Sequence, residues 1–166
     1  RVIVVAPESI QEGIAATMKA LGDAPPPPPP STIRLHYWLV LGRPAVQPSG
    51  LERLGEGSSA MESIMRSQGP LDLRLLDEVL LASMEGEWAE VSGRRAKIEQ
   101  RVARFGDRVI ADLNVGAMGQ LRTRVQLEPG KFVVLGQVGF DEREAATAFL
   151  GPGAPEPVQD ALLYYV

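Results

Sequence analysis

Residues 121–138 read LRTRVQLEPGKFVVLGQV, and the reading of this stretch decides the class of fold. Strict alternation puts Leu121, Thr123, Val125 and Leu127 on one side of an extended chain, with Arg122, Arg124 and Gln126 on the other. A period of two belongs to a strand with one buried and one wetted face. Glu128-Pro129-Gly130-Lys131 then carries turn chemistry. Proline sets φ at the second position and glycine accepts a positive φ at the third, the signature of a type II turn. Phe132, Val133, Val134 and Leu135 follow as a second apolar strand. The expectation is a β-hairpin in which residues 132–135 return along residues 121–127.

A stronger hairpin lies upstream. Residues 95–105 and 108–115 flank Gly106-Asp107, a two-residue loop headed by glycine as a type II′ turn prefers. That register sets Arg101 opposite Asp112, Ile98 opposite Val115 and Val102 opposite Ala111. A slip of one residue would turn every apolar side chain outward. Leu71, Leu73 and Leu75, then Val79 and Leu81, predict one long or broken strand, and Gly86-Glu87 and Gly93 break the chain after it. In residues 33–41, Ile33, Leu35, Tyr37, Leu39 and Leu41 face one way while Arg34, His36, Trp38 and Val40 face the other; Gly42-Arg43-Pro44 ends the strand. Residues 58–67 predict a short helix with Met61, Ile64 and Met65 inward, and Gly55 and Gly57 argue against its reaching back to Leu51. Residues 139–160, rich in Gly, Pro, Ala and acid, predict a loop with one helical turn, and residues 162–166 a terminal strand.

The amino-terminal part reads differently. Residues 1–5 are an apolar strand candidate, and Pro7 and Glu8 suit the first turn of a helix. Ile10, Ile14, Met18 and Leu21 recur at helical spacing before Gly22, a C-terminal stop. Six prolines at residues 25–30 adopt polyproline II, spanning roughly 19 Å at about 3.1 Å per residue. Such a run is a stiff spacer, or a ligand for an SH3- or WW-type groove. The expected division is a strand–helix unit at 1–24, a polyproline spacer at 25–32 and a β-rich core at 33–166. The fold class is α+β: the small strand–helix unit, then a mostly antiparallel sheet with one covering helix.

Composition bounds the function. A chain of 166 residues buries about two-thirds of its unfolded surface. With 45% hydrophobic and 23% charged residues it is globular rather than disordered. A net charge of −4 disfavours nucleic acid as a partner. Arginines at 94, 95, 101, 104, 108, 122 and 124 gather in the β-rich part but are interrupted by Glu99, Asp107 and Asp112, as solvated strand faces are. The absence of cysteine excludes disulfides and thiolate metal sites. No apolar run approaches 18 residues, so no transmembrane helix is expected. The chain opens at Arg1 rather than Met, as a processed or trimmed product would.

Catalytic chemistry is hard to place. His36 is the only histidine, so no His dyad or multi-His metal site exists within one chain, and a packed or hydrogen-bonded role is expected of it. Glu85, Glu87 and Glu90 surround Trp88, but a hard cation needs six or more converging oxygens. Gly55-x-Gly57 and Gly151-x-Gly153 lack the strand, helix and Lys-Ser/Thr of a phosphate loop, and no serine sits in G-x-S-x-G. No catalytic, cofactor-binding or metal residue is therefore assigned, and the chain is not expected to be an enzyme. Trp38 and Trp88 are packing residues or, being large and amphipathic, interface anchors.

Several segments, taken in order, resemble the secretin family, the ring-forming channels of bacterial outer membranes. RVIVVAPESIQEGIAATMKALGDAPPPPPP is similar to the strand–helix unit and proline-bearing step that precede the secretin core. TIRLHYWLVLG stands where the next strand begins, with Arg34 and His36 in place of the family's acids. LLASMEGEWAEVSG matches a strand–turn–strand pattern at Gly86, Glu87, Ala89, Val91 and Gly93, and residues 107–115 resemble the strand that succeeds it. LRTRVQLEPGKFVVLGQV parallels the family's closing hairpin, and ALLYYV its terminal strand. The departures are that Gly136 is followed by Gln137 rather than a second glycine, and that the lip segment is replaced by acidic, Gly/Pro-rich residues 141–157. The long strands carry Arg95, Lys97, Glu99, Arg101 and Arg104 with only Phe105 as an aromatic. A charge at bilayer mid-depth costs roughly 2–4 kcal/mol, so these strands are not expected to span a membrane themselves.

The resemblance implies a non-catalytic structural or assembly subunit of the bacterial cell envelope, periplasmic or outer-membrane associated, in the setting of protein secretion or type IV pili. It would act by edge-to-edge strand pairing, as a homo-oligomer or docked to a channel component, with any membrane association through that partner. No cofactor and no nucleic acid are implied. The alternative is a peptide- or protein-binding module using the Tyr37/Trp38 strand or the proline run.

Overall fold

Alternating apolar side chains require a second surface to cover each buried face, and the chain meets that requirement with two sheets and one helix. A computed structural model describes residues 7–22, 31–117, 119–139, 143, 147, 151–152 and 161–166, without the side chains of 20 and 21. The strand expected at 1–5, the prolines at 25–30 and most of 139–160 lie outside the described residues. The chain divides into two compact units, Arg1–Pro30 and Ser31–Val166. In the first, helix α1 spans Glu8–Gly22. The Pro7 carbonyl accepts from the N–H groups of Ile10 and Gln11 at 2.9 and 3.0 Å, and Glu8 and Lys19 complement the helix dipole in its first and last turns.

The second unit is α+β, as expected, but its strands form two antiparallel sheets rather than one. Strands β1 (Thr32–Pro44) and β2 (Leu71–Met84) are long, and helix α2 (Ser58–Gln68) lies between them in sequence. Strands β3 (Trp88–Ser92), β4 (Lys97–Phe105), β5 (Arg108–Gly116) and β6 (Gln120–Leu127) follow as a meander. The last two strands are β7 (Gly136–Gly139) and β8 (Leu162–Tyr165). The first sheet has the order β2-β1-β8-β7 and the second β3-β4-β5-β6. Residues 162–165 therefore form an internal strand, held between β1 and β7.

One core fills the space between the sheets, built from Tyr37, Leu39 and Leu41 of β1, Val102 of β4, Leu113 of β5 and Leu163 of β8, with their neighbours. A second core covers the opposite face of the first sheet. There Trp38, Val40, Leu73 and Tyr164 meet Met61 of α2 and Leu54 of a preceding 3-10 turn. The first sheet is thus buried on both faces where Trp38–Leu41 of β1 cross it. Gly57 lies against the Trp38 indole, where a Cβ would approach to 3.3 Å, so this glycine allows the start of α2 to seat closely.

A bulge distributes β2 between the two cores. Leu39 pairs with Asp77 and Val40 with Leu75, leaving Leu76 as the extra residue. Before it, Leu71, Leu73 and Leu75 face the helix-side core; after it, Val79 and Leu81 face the inter-sheet core. Alternation alone places all five on one side of one strand. The inserted residue inverts that alternation, which a periodicity of two cannot register.

The β4–β5 hairpin has the expected register: Arg101 opposite Asp112, Ile98 opposite Val115 and Val102 opposite Ala111, with Gly106 at φ +64° in the turn. Strand β4 begins at Lys97 rather than residue 95, because the Arg95 and Ala96 N–H groups donate to the buried Asp77 carboxylate at 2.7 and 3.0 Å.

The hairpin expected at 121–135 does not form. Its turn is present, with Gly130 at φ +77° and Lys131 N–H donating to the Glu128 carbonyl at 3.1 Å. Residues 132–135, however, pair with no strand of the second sheet, and Gly136–Gly139 joins the first. A type II turn splays its flanking strands, whereas the primed turns match their right-handed twist. The released segment sends Phe132 and Val134 to the helix-side core and Leu135 to the inter-sheet core.

Candidate functional site

The site arises from the backbone groups that each strand leaves unpaired. Along β1, alternate residues direct their N–H and C=O to opposite sides. Trp38 exchanges both backbone bonds with Val166, at 2.9 and 3.0 Å, so even-numbered residues face the β8 side. Ser31, of the other parity, accepts from Glu85 beyond the end of β2. Strand β2 pairs with all of β1, but β8 pairs only with Leu39–Gly42, extended by the Trp38–Val166 exchange. Thr32, Arg34 and His36 thus present N–H and C=O to an edge along which no described residue pairs.

The opposite wall of this gap is the segment released by the type II turn. Residues 131–135 approach β7 without a turn or bend, and Leu135 N–H still donates to the Tyr165 carbonyl at 2.7 Å. Residues 32–37 of β1 and 128–135 stand around the same concavity. It forms a notch of about 350 Å³. Ile33, Leu35, Val109, Leu113, Leu127 and Leu135 supply its apolar surface, and Arg34, His36, Arg104 and Lys131 stand around it.

Electrostatics at the rim are uneven. His36 Nε2 lies 2.8 Å from a Glu78 carboxylate oxygen and its ring stacks on Trp38 with centroids 3.9 Å apart. This is the packed, hydrogen-bonded role expected of the lone histidine. Lys131 pairs with Glu128, and its hydrogen bond holds the Glu128 carboxyl below the usual carboxylate range. Among the described residues, the Arg34 and Arg104 side chains form no ion pair.

Tyr37 and Trp38, considered as binding residues, do not offer their side chains to a partner. Tyr37 is 7% and Trp38 4% exposed, one in each core. Burial pushes the Tyr37 hydroxyl well above its ordinary pKa, and it donates to Gln100 Oε1 at 2.6 Å. What this strand leaves open is its backbone, two to six residues earlier. Trp88, in contrast, is 58% exposed on the outer face of the second sheet.

That outer face is a cross-linked polar lattice. Lys97 bridges Glu90 and Glu99 at 3.0 and 3.2 Å, and Arg124 meets Asp112 at 3.2 Å. Hydrogen bonds to Glu90 and Glu99 raise the Lys97 pKa; those from Asn114 and then Lys97 lower that of Glu99. The arginine-rich strands are solvated faces with interleaved acids, as the sequence implied. Glu85 holds the Ser31 hydroxyl and the Arg104 N–H while Glu90 is engaged by Lys97, so the acids around Trp88 do not converge. Among the described residues no group of three or more His, Cys, Asp or Glu is placed to hold a metal, and no helix is long and apolar enough to cross a membrane.

Comparison with protein-family models, curated proteins and solved structures gave no match. The notch therefore carries the functional reading.

Sequence reasoning missed this site because it assigned residues 132–135 to a hairpin. The signal that could have found it was Pro129-Gly130 itself, whose turn type disfavours tight strand return.

Proposed function

We propose that this chain is a non-catalytic assembly subunit that joins its partner by accepting an extended strand along the open edge of β1. The observation that carries the reading is the row of Thr32, Arg34 and His36 backbone groups on β1, along which no described residue pairs, beside the notch lined by residues 32–37 and 128–135. An added strand bonds to a row of oriented N–H and C=O groups already fixed by the fold, so little further backbone ordering opposes it. Unprotected edges are pairing templates, and this one carries no proline or inserted bulge at residues 32–37. The partner is a further copy of the chain or another component of the bacterial cell envelope. That periplasmic or outer-membrane setting rests on the resemblance of the strand segments to secretins.

Light scattering over a hundredfold concentration range tests the self-pairing form, with His36→Pro as the control. The substitution removes an N–H that faces the notch while leaving the β2 ladder untouched, because only odd-numbered residues bond to β2. A species larger than the 17.9 kDa monomer that His36→Pro dissolves supports pairing at the notch. A larger species indifferent to His36→Pro overturns it. A monomer at every concentration overturns self-pairing and restricts the proposal to a different partner strand.

A further inference from the structure

We infer that the outer face of the second sheet binds an uncharged, β-linked oligosaccharide, laid across the strands from Trp88 toward Arg122 and Arg124. This goes beyond strand pairing at β1 and uses a different surface. The register of the second sheet sets its outward side chains in rows that cross all four strands. One row runs Trp88, Arg101, Asp112, Arg124, and the next runs Glu90, Glu99, Asn114, Arg122. Trp88, Glu99, Asp112, Asn114, Arg122 and Arg124 line an open depression of about 690 Å³. From β3 to β6 a row crosses three strand spacings, roughly 14 Å at about 4.8 Å each, which is longer than one sugar ring.

Trp88 stands exposed on the edge strand β3, at one end of the depression. A flat indole in water offers an apolar platform with a polar N–H at its edge. A β-linked sugar with equatorial hydroxyls fits such a platform, since its ring face carries C–H groups while its hydroxyls point sideways. The groups beside Trp88 set the charge of the ligand. Arg101, Arg122 and Arg124, with Lys97 of the adjoining row, face Glu90, Glu99 and Asp112, so the surface lies within a single charge of neutral. That balance gives no net field to draw in a polyanion or a polycation. What the surface offers instead is interleaved hydrogen bonding: guanidiniums and the Asn114 amide donate, and carboxylates accept. A hydroxyl does both, so a polyol matches the pattern where a phosphate or an ammonium meets only half of it.

The contacts already present prepare the site rather than fill it. Arg124 Nε meets Asp112 Oδ1 at 3.2 Å, and Asn114 Nδ2 donates to Glu99 Oε2 at 2.9 Å. A carboxylate or a guanidinium has more hydrogen-bonding positions than one such contact uses. These cross-links hold the side chains in place before a ligand arrives, which lowers the ordering cost of binding.

The experiment titrates the full chain with cellohexaose and chitohexaose, both neutral and β-linked, by calorimetry and by tryptophan emission. Trp38 is buried, so a blue shift on binding reports Trp88. At least one hexasaccharide should bind saturably with that shift, and its affinity should change by less than about twofold between low and high salt. The matching disaccharide, which spans only part of a row, should bind about tenfold more weakly. By calorimetry, Trp88→Ala should lower the hexasaccharide affinity about tenfold and Arg122→Ala, at the far end of the depression, about threefold, both at an unchanged urea midpoint. Binding of neither hexasaccharide overturns the proposal. Binding indifferent to Trp88→Ala overturns the site, and a disaccharide as tight as the hexasaccharide overturns the row. A hexamer of galacturonate or of thymidylate that binds more tightly than both neutral sugars overturns the inference of an uncharged ligand.

Discussion

Gln100 is 0% exposed at the centre of the inter-sheet core, and replacing it tests whether a polar bridge joins the two sheets. Its Oε1 accepts from the Tyr37 hydroxyl at 2.6 Å, and its amide nitrogen donates to Ser83 Oγ at 2.8 Å, linking β4 to β1 and β2. Gln100→Leu preserves the approximate volume but leaves the Tyr37 hydroxyl without an acceptor and Ser83 without a donor. An orphaned buried group costs about 1–3 kcal/mol. The expected destabilisation is therefore about 2–4 kcal/mol. Tyr37→Phe alone, which strands Gln100 Oε1, should cost about 1–3 kcal/mol. The two together orphan fewer groups than Gln100→Leu does, so the double variant should be more stable than the Gln100→Leu single. Urea denaturation of all four proteins, compared at unchanged m-value, reads the cycle. A Gln100→Leu variant within about 0.5 kcal/mol of the parent, or strictly additive costs, would refute the argument that this network carries sheet-to-sheet stability.

Gly93→Ala places a Cβ that overlaps Asp77 Oδ2 and comes within 2.8 Å of Val79 Cγ2, driving the carboxylate off the Arg95 and Ala96 N–H groups. A loss of more than about 2 kcal/mol in chemical denaturation is expected, and a neutral result would show that the loop relaxes freely. Met61→Ala empties the centre of the helix-side core and should cost about 2–5 kcal/mol, with amide exchange in β4 and β5 unchanged below the global unfolding limit. Stability should fall as pH rises above 10. The unfolded tyrosines then release protons that the folded chain retains, because burial raises all three hydroxyls above their usual 10.0. Tyr37 contributes up to about 1.4 kcal/mol per pH unit to this slope. Tyrosinate absorbance should appear together with loss of near-ultraviolet circular dichroism, and its appearance in a still-folded chain would contradict the burial.

Local rules were sufficient wherever one element faces one partner. The Gly106-Asp107 loop, the β4–β5 register, the two faces of β1 and the inward residues of α2 were legible because period and turn type act over a few residues. Three features were not legible, and each depends on a surface distant in sequence. Leu76 is spelled like any other leucine of its run; it becomes a bulge because α2 covers one half of β2 and the second sheet covers the other. Residues 132–135 have the composition of a returning strand, but two separate cores compete for their side chains and draw the chain across to the first sheet. The candidate site is less visible still, since it is a row of backbone groups left over when β8 pairs with only part of β1. The sequence by itself determined the α+β class and the register of the β4–β5 hairpin. Tertiary structure alone decided how strands divide between sheets and where an edge stays open, because hydrogen-bond partners across a sheet are chosen by packing at long range rather than by local preference.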